Sequence, residues 1–248
     1  MPIVELSDVD LYYRQVGEGE PIVLIHHLAG SVESWEFVEE YLSSKYRIIT
    51  YDLRGHGKSS VPPLTYTIEE HAKDLSRLLD YLGIDEPILI GHSIGSLIAM
   101  EYALRRPVKK LVLIGALYRS PDPIPYMKYM DIARRFGMEA LALYRKTNGE
   151  LPPKIVSDRE LWNKFVQIYK ATPIVGYLNT VRGLLESPNY ENEIDKLGEF
   201  KLIYGSEDKL KTNKDIFMRA GKVDYSEIQG VGHFPNMEEP EELSRLLL

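Results

Sequence analysis

Cysteine is absent from the 248 residues, which excludes disulfide stapling, thiolate catalysis and a cysteine-based zinc site. Also missing is any apolar run near the roughly 18 to 20 residues that a bilayer-crossing helix needs, so no membrane insertion is expected. The opening Met1-Pro2-Ile3-Val4-Glu5 has neither the basic stretch nor the long apolar core of a signal peptide, and the expected location is the cytoplasm. Runs of Lys and Arg are lacking too. With 30 basic against 37 acidic residues and a net charge of -7, the chain offers no footprint for a phosphate backbone, so no nucleic-acid partner is expected. No cluster has metal-ligand spacing, and neither a metal nor any other cofactor is implied.

What remains is an ordinary globular composition, 44% apolar and 27% charged, in a chain long enough for one α/β domain carrying an insertion. Polar-apolar alternation over Asp10–Val16 predicts an early antiparallel strand. Short apolar runs over 21–26, 46–51, 87–90, 110–114, 200–204 and 224–228 read as further strands. Between them, Ala72, Leu75, Leu78, Leu79 and Leu82, and again Ile94, Leu97, Ile98 and Tyr102, recur at helical spacing, as crossover helices on a mainly parallel sheet do. That alternation breaks at about residue 117 and resumes at about 195. The intervening 117–194 is divided by prolines into short helical pieces and reads as a helical cap inserted in a core made of 1–116 and 195–248. It holds 7 of the 17 tyrosines, more aromatic surface than a plain solvent face needs, so a pocket wall is the preferred reading over a peripheral decoration. Tyr118, Met127, Met130 and Trp162 are its substrate-binding candidates.

The chemistry concentrates at Gly91-His92-Ser93-Ile94-Gly95, between the strand at 88–90 and the helix opening near Ile94. Two glycines permit a strained strand-to-helix turn that lifts the Ser93 hydroxyl above the sheet, which makes Ser93 the candidate nucleophile. A serine nucleophile needs a base, and of six histidines only His233 lies downstream, in a Gly- and Pro-framed loop after the last strand. His26, His56, His71 and His92 read as structural. Between Ser93 and His233, Gly205-Ser206-Glu207-Asp208 follows a strand and offers two carboxylates. Asp208 is preferred as the acid because the shorter side chain is held more rigidly; Glu207 is then a solvated loop charge or a supporting acceptor. Gly55-His56-Gly57-Lys58-Ser59 is a near miss for a phosphate-binding loop, because Asp52 stands where its first glycine should be.

These three motifs, with His26-His27-Leu28-Ala29-Gly30 and Asp52-Leu53-Arg54-Gly55-His56-Gly57-Lys58-Ser59, resemble the α/β-hydrolase fold superfamily over nearly the whole chain. The likeness is to its capped serine-hydrolase branch, which includes carboxylesterases, enol-lactone and carbon-carbon bond hydrolases, cofactor-free haloperoxidases and proline iminopeptidases. It implies an eight-stranded, mostly parallel sheet with helices on both faces and a cap resembling four helices. It also implies oxyanion donors at the backbone N–H groups of Leu28 and Ile94. Two positions depart from the family pattern: His27 stands where glycine is usual in the oxyanion loop and is a further pocket candidate, and Ser96 replaces a second small residue after the elbow. The expected activity is hydrolysis of a small to medium carboxylic ester through an acyl-enzyme. Lactone or carbon-carbon bond cleavage is the alternative on the same fold, and a small-molecule receptor built on a hydrolase scaffold is the alternative of another class.

Overall fold

A computed structural model describes residues 2–247; Met1 and Leu248, the outer ends of the expected core, lie outside it. Eight strands form one sheet: β1 (Ile3–Glu5), β2 (Asp10–Val16), β3 (Glu20–Ile25), β4 (Tyr46–Tyr51), β5 (Ile88–His92), β6 (Lys110–Ile114), β7 (Phe200–Gly205) and β8 (Val223–Ile228). Their order is β1-β2-β4-β3-β5-β6-β7-β8. β2 runs antiparallel to both its neighbours, and the other pairings are parallel. All seven expected strands are present to within two residues at either end. β1 was not expected, since three residues are too few to show an alternation.

The helices are α1 (Glu36–Leu42), α2 (Ile68–Leu82), α3 (Ile94–Ala103), α4 (Pro123–Phe136), α5 (Met138–Thr147), α6 (Pro153–Ser157), α7 (Arg159–Ala171), α8 (Ile174–Leu185), α9 (Lys214–Phe217), α10 (Pro235–Glu238) and α11 (Pro240–Leu247). The inner strands are apolar on both sides because successive residues point to opposite faces and both faces are covered. Val23, Ile25, Leu89, Leu111 and Leu113 meet Leu75, Leu79, Leu97 and Ile98 of α2 and α3. Ile22, Leu24, Ile90, Val112 and Ile114 meet Val38 and Leu42 of α1 and Leu243 and Leu247 of α11. Each such side chain, fully buried, is stabilised by about 1.5–3 kcal/mol relative to exposure.

Between β6 and β7 the chain forms five helices, α4 to α8, one more than the resemblance implied, the extra being the five-residue α6. Side-chain caps start two of them: Asp122 accepts from the Ile124 N–H ahead of Pro123, and Asp158 accepts from those of Glu160 and Leu161. Their apolar faces share a third cluster in which Ile132, Leu141, Phe165 and Val181 pack with Ala29 and Phe234. Those last two residues come from the loops that carry Leu28 and His233, so the helices lie directly over the C-terminal ends of the strands. Among the described residues, no helix is long and apolar enough to cross a membrane.

Candidate active site

Ser93 joins β5 to α3 with φ 58° and ψ -118°, and among the described non-glycine residues it shares a positive φ only with Ala29. Such a conformation costs about 1–3 kcal/mol and persists only where its surroundings impose it. Here the Ser93 N–H donates to the Ile114 carbonyl at 2.9 Å, and the Ser96 hydroxyl donates to the Ser93 carbonyl at 2.6 Å while accepting from the Leu117 N–H at 3.0 Å. Ser96, a departure from the family pattern, thus ties the elbow to the end of β6. The flanking glycines are sterically required. A Cβ on Gly91 would stand 2.2 Å from the Gly95 carbonyl oxygen, and one on Gly95 would stand 2.5 Å from that of Ile25.

His233 follows β8 and donates from Nδ1 to Asp208 Oδ2 at 2.9 Å, which leaves Nε2 as the ring's proton acceptor. Asp208 is buried after β7, and its other oxygen accepts from the Leu210 N–H at 2.9 Å. Glu207 is exposed and its carboxylate accepts from the Ser206 hydroxyl. The structure therefore brings Asp208, and not Glu207, against His233. Ser93, His233 and Asp208 all line one cavity of about 700 Å³.

Three residues given no role at the site by the sequence pattern support His233 and its loop. Glu238 is buried, and its two oxygens accept from the Gly232 and Phe234 N–H groups at 2.9 and 3.0 Å. His92 was expected only to be structural; its Nε2 donates to the His233 carbonyl at 2.7 Å and links the elbow to the His233 loop. Gly115, with φ 53°, lies so close under the pair that a Cβ would be 3.0 Å from both Asp208 Oδ2 and His233 Nδ1. Chain separation hides the roles of His92 and Gly115 from a local motif, whereas Glu238 lies only six and four residues from the amides it holds.

Leu28 lines the same cavity, and Ile94 supplies the first N–H of α3, one of the amides without an intrahelical acceptor. Neutral imidazoles brace the Leu28 loop. His26 donates from Nδ1 to the His27 carbonyl at 2.7 Å and accepts at Nε2 from the Leu53 N–H at 3.0 Å. His56 Nε2 accepts from the Ala29 N–H at 3.3 Å. Burial pushes His26 well below the ordinary histidine value and His56 down to about 4. His27 is buried too, down to about 3, with its ring edge-on to His92 and Phe234 at 5.2 and 5.0 Å and its Nδ1 donating to the Leu28 carbonyl at 2.9 Å. It lines the cavity.

The other four pocket candidates do not line that cavity. Tyr118 is buried edge-on to Phe217 in the sheet-side cluster. Met127 is 64% exposed. Met130 packs among the helices, and Trp162 stacks on Phe165 at 6.1 Å under the Lys146 ammonium. The wall is made instead by Tyr126, Tyr129, Tyr169, Tyr177, Arg145 and Phe234. On α4 the reason is helical rotation: Met127 and Met130 each follow a lining tyrosine by one residue, about 100° around the axis. The tyrosines were already visible as an excess in this segment, whereas Arg145 carried no sequence signal.

The family model for the alpha/beta hydrolase fold matches residues 20–147, just over half the chain. A putative carbamate hydrolase of Azorhizobium caulinodans is 35% identical over 122 residues, 48% of this chain and 46% of that protein. The matches to the first curated relatives span less than half of those proteins' length. A 3-oxoadipate enol-lactonase of Acinetobacter baylyi is 24% identical over 242 residues, covering 95% of this chain and 90% of its own. Among solved structures, one from a study of carboxylesterases of the thaumarchaeon Nitrososphaera gargenis superposes with a TM-score of 0.90 at 26% identity, covering 99% of this chain and 96% of that one.

Proposed function

The chain belongs to the alpha/beta hydrolase fold family, and from that premise we propose that it is a serine hydrolase cleaving small to medium carboxylic esters through an acyl-enzyme. The observation that carries the proposal is the Asp208–His233 hydrogen bond at 2.9 Å in a cavity that also receives the strained Ser93 elbow. In the first step Ser93 Oγ bonds to the ester carbonyl carbon as its proton passes to His233 Nε2; collapse breaks the bond to the alcohol oxygen, which takes that proton. Water, deprotonated by the same nitrogen, then attacks the acyl-enzyme, frees the acid and returns the proton to Ser93. Asp208 stabilises the imidazolium in both steps. The N–H groups of Leu28 and Ile94 receive the oxyanion, each worth roughly 3–4 kcal/mol in the transition state. Residues 117–194 act as the cap, whose tyrosines set which acyl and alcohol groups enter.

Lactones undergo the same two steps, and the near full-length similarity to an enol-lactonase supports including them in the test. The test is a panel of p-nitrophenyl esters of increasing acyl length, with lactones and an amino-acid arylamide, given to the parent and to Ser93→Ala. The expected result is multiple turnover of esters, lost in the variant. Single-turnover hydrolysis would favour a receptor on this scaffold, and turnover retained by Ser93→Ala would overturn the proposal.

A further inference from the structure

Resting on the serine-hydrolase reading, we infer that Arg145, with the hydroxyls of Tyr126 and Tyr177, forms a carboxylate subsite in the cavity wall, so that the favoured ester bears a carboxylate away from its scissile bond. All three residues line the cavity that holds Ser93. A guanidinium stays charged in proteins and presents five N–H donors in a planar fork. Little of that capacity is used: Nη1 donates to the Tyr169 hydroxyl at 2.5 Å, and the buried Nε has no hydrogen-bond partner among the described residues. The nearest acid, Glu150, reaches only to 3.6 Å from Nε, because its carboxylate accepts from the Tyr129 hydroxyl at 2.7 Å. The Arg145 side chain keeps 20% of its surface accessible, on a cavity-lining residue.

A cation withdrawn from water is costly unless it is paired, and a fork with free donors on a cavity wall is satisfied by a planar anion making two parallel bonds. The tyrosines add to this. Burial raises the hydroxyls of Tyr126 and Tyr177 above the ordinary tyrosine value, so both remain protonated donors. Glu150 selects among anions: its charge beside the fork tolerates a carboxylate better than a phosphate dianion. Of the other charged groups on the cavity lining, Lys154 is engaged by Glu239, Asp208 by His233, and Asp122 caps α4; Glu207 and Lys209 belong to the loop around Asp208.

Two esters matched in length test the inference, mono-p-nitrophenyl glutarate, which is anionic, and its neutral methyl ester. The ratio of their kcat/KM values is compared in the parent, Arg145→Gln and Glu150→Gln. Hydrogen bonds to charged groups of this kind correspond to about 10- to 100-fold in binding. The ratio should therefore fall at least about tenfold in Arg145→Gln, mainly through KM, and rise several-fold in Glu150→Gln. Free glutarate should compete with the neutral ester in the parent, a measurement that needs no variant to fold. An unchanged ratio in both variants, or no inhibition by glutarate, would overturn the subsite while leaving the hydrolase reading intact. If the parent instead turns over neither ester and Ser93 resists a fluorophosphonate, the hydrolase reading itself has failed.

Discussion

Gly115→Ala is the substitution whose consequence follows most directly from the packing beneath the Asp208–His233 pair. The residue follows β6 with φ 53°, and its N–H is tied to the Ile203 carbonyl at 2.9 Å, so the backbone cannot move away. An L residue in that conformation costs roughly 1–2 kcal/mol. In a chain of this size that corresponds to a fall in Tm of about 2–8 °C. The new methyl carbon would stand 3.0 Å from Asp208 Oδ2 and from His233 Nδ1 and Cε1, against an optimum near 3.5–4.0 Å, so the pair must shift by roughly half an ångström. A displacement of about 1 Å in a catalytic group can cost about 100-fold, so the expected loss in kcat is about 3- to 30-fold, with KM less affected. Steady-state kinetics on a p-nitrophenyl ester at 25 °C, where the variant remains folded, combined with a thermal scan, measure both effects. A variant that loses stability but keeps kcat within twofold of the parent would refute the claim that this contact sets the geometry of the pair.

Asp208→Asn should lower kcat by about 10³ to 10⁴ by favouring the wrong imidazole tautomer, and Glu207→Gln should change it less than about tenfold; the reverse ranking would move the acid to Glu207. His27→Gly frees the loop carrying Leu28 and removes a ring packed on His92 and Phe234, so kcat should fall about 3- to 30-fold with a smaller change in KM, and an effect confined to KM would show that His27 does not preorganise the oxyanion donor. His27 and His56, held by burial at about 3 and about 4, stay neutral while the unfolded chain takes up protons below 6.5. Stability is therefore lost as pH falls from 7 to 5.5, by roughly 1 kcal/mol for each histidine. Burial raises Asp52 to about 6, so it binds a proton in the folded state first and returns just under about 1 kcal/mol over the same interval. His26, His71 and His92, also lowered by burial, add to the loss, and Glu39, Asp74 and Glu238, raised by burial, return part of it. The thermal midpoint should thus be lower at pH 5.5 than at pH 7, and an equal or higher midpoint would contradict the buried neutral imidazoles.

The strands were legible because a parallel sheet covered on both faces needs continuous β-branched runs such as Pro21–Ile25 and Lys110–Ile114. The Ser93 turn was legible because its two glycines are demanded by backbone contacts only a few ångströms away, and the order serine, acid, histidine pointed to Asp208 and His233. Illegible were contacts between segments distant in sequence, His92 on the His233 carbonyl and Gly115 beneath the pair, and also the local one of Glu238 on the Gly232 and Phe234 amides, six and four residues along the chain. The pocket wall was half legible. A tyrosine-rich helical segment could be recognised as a lining, but which face of α4 turns inward depends on packing against Ala29 and Phe234, and an error of one residue selects Met127 and Met130 in place of Tyr126 and Tyr129.

The central claim is that Ser93 forms the acyl-enzyme. Mass spectrometry of the protein quenched in acid within the first turnovers of p-nitrophenyl acetate, followed by peptide mapping, reads it directly. The account predicts an added acetyl group on the peptide containing Ser93, appearing with the initial burst of p-nitrophenol and absent from Ser93→Ala. An acetyl group on another residue that decays at the rate of steady-state turnover, or unimpaired turnover by Ser93→Ala, would contradict it.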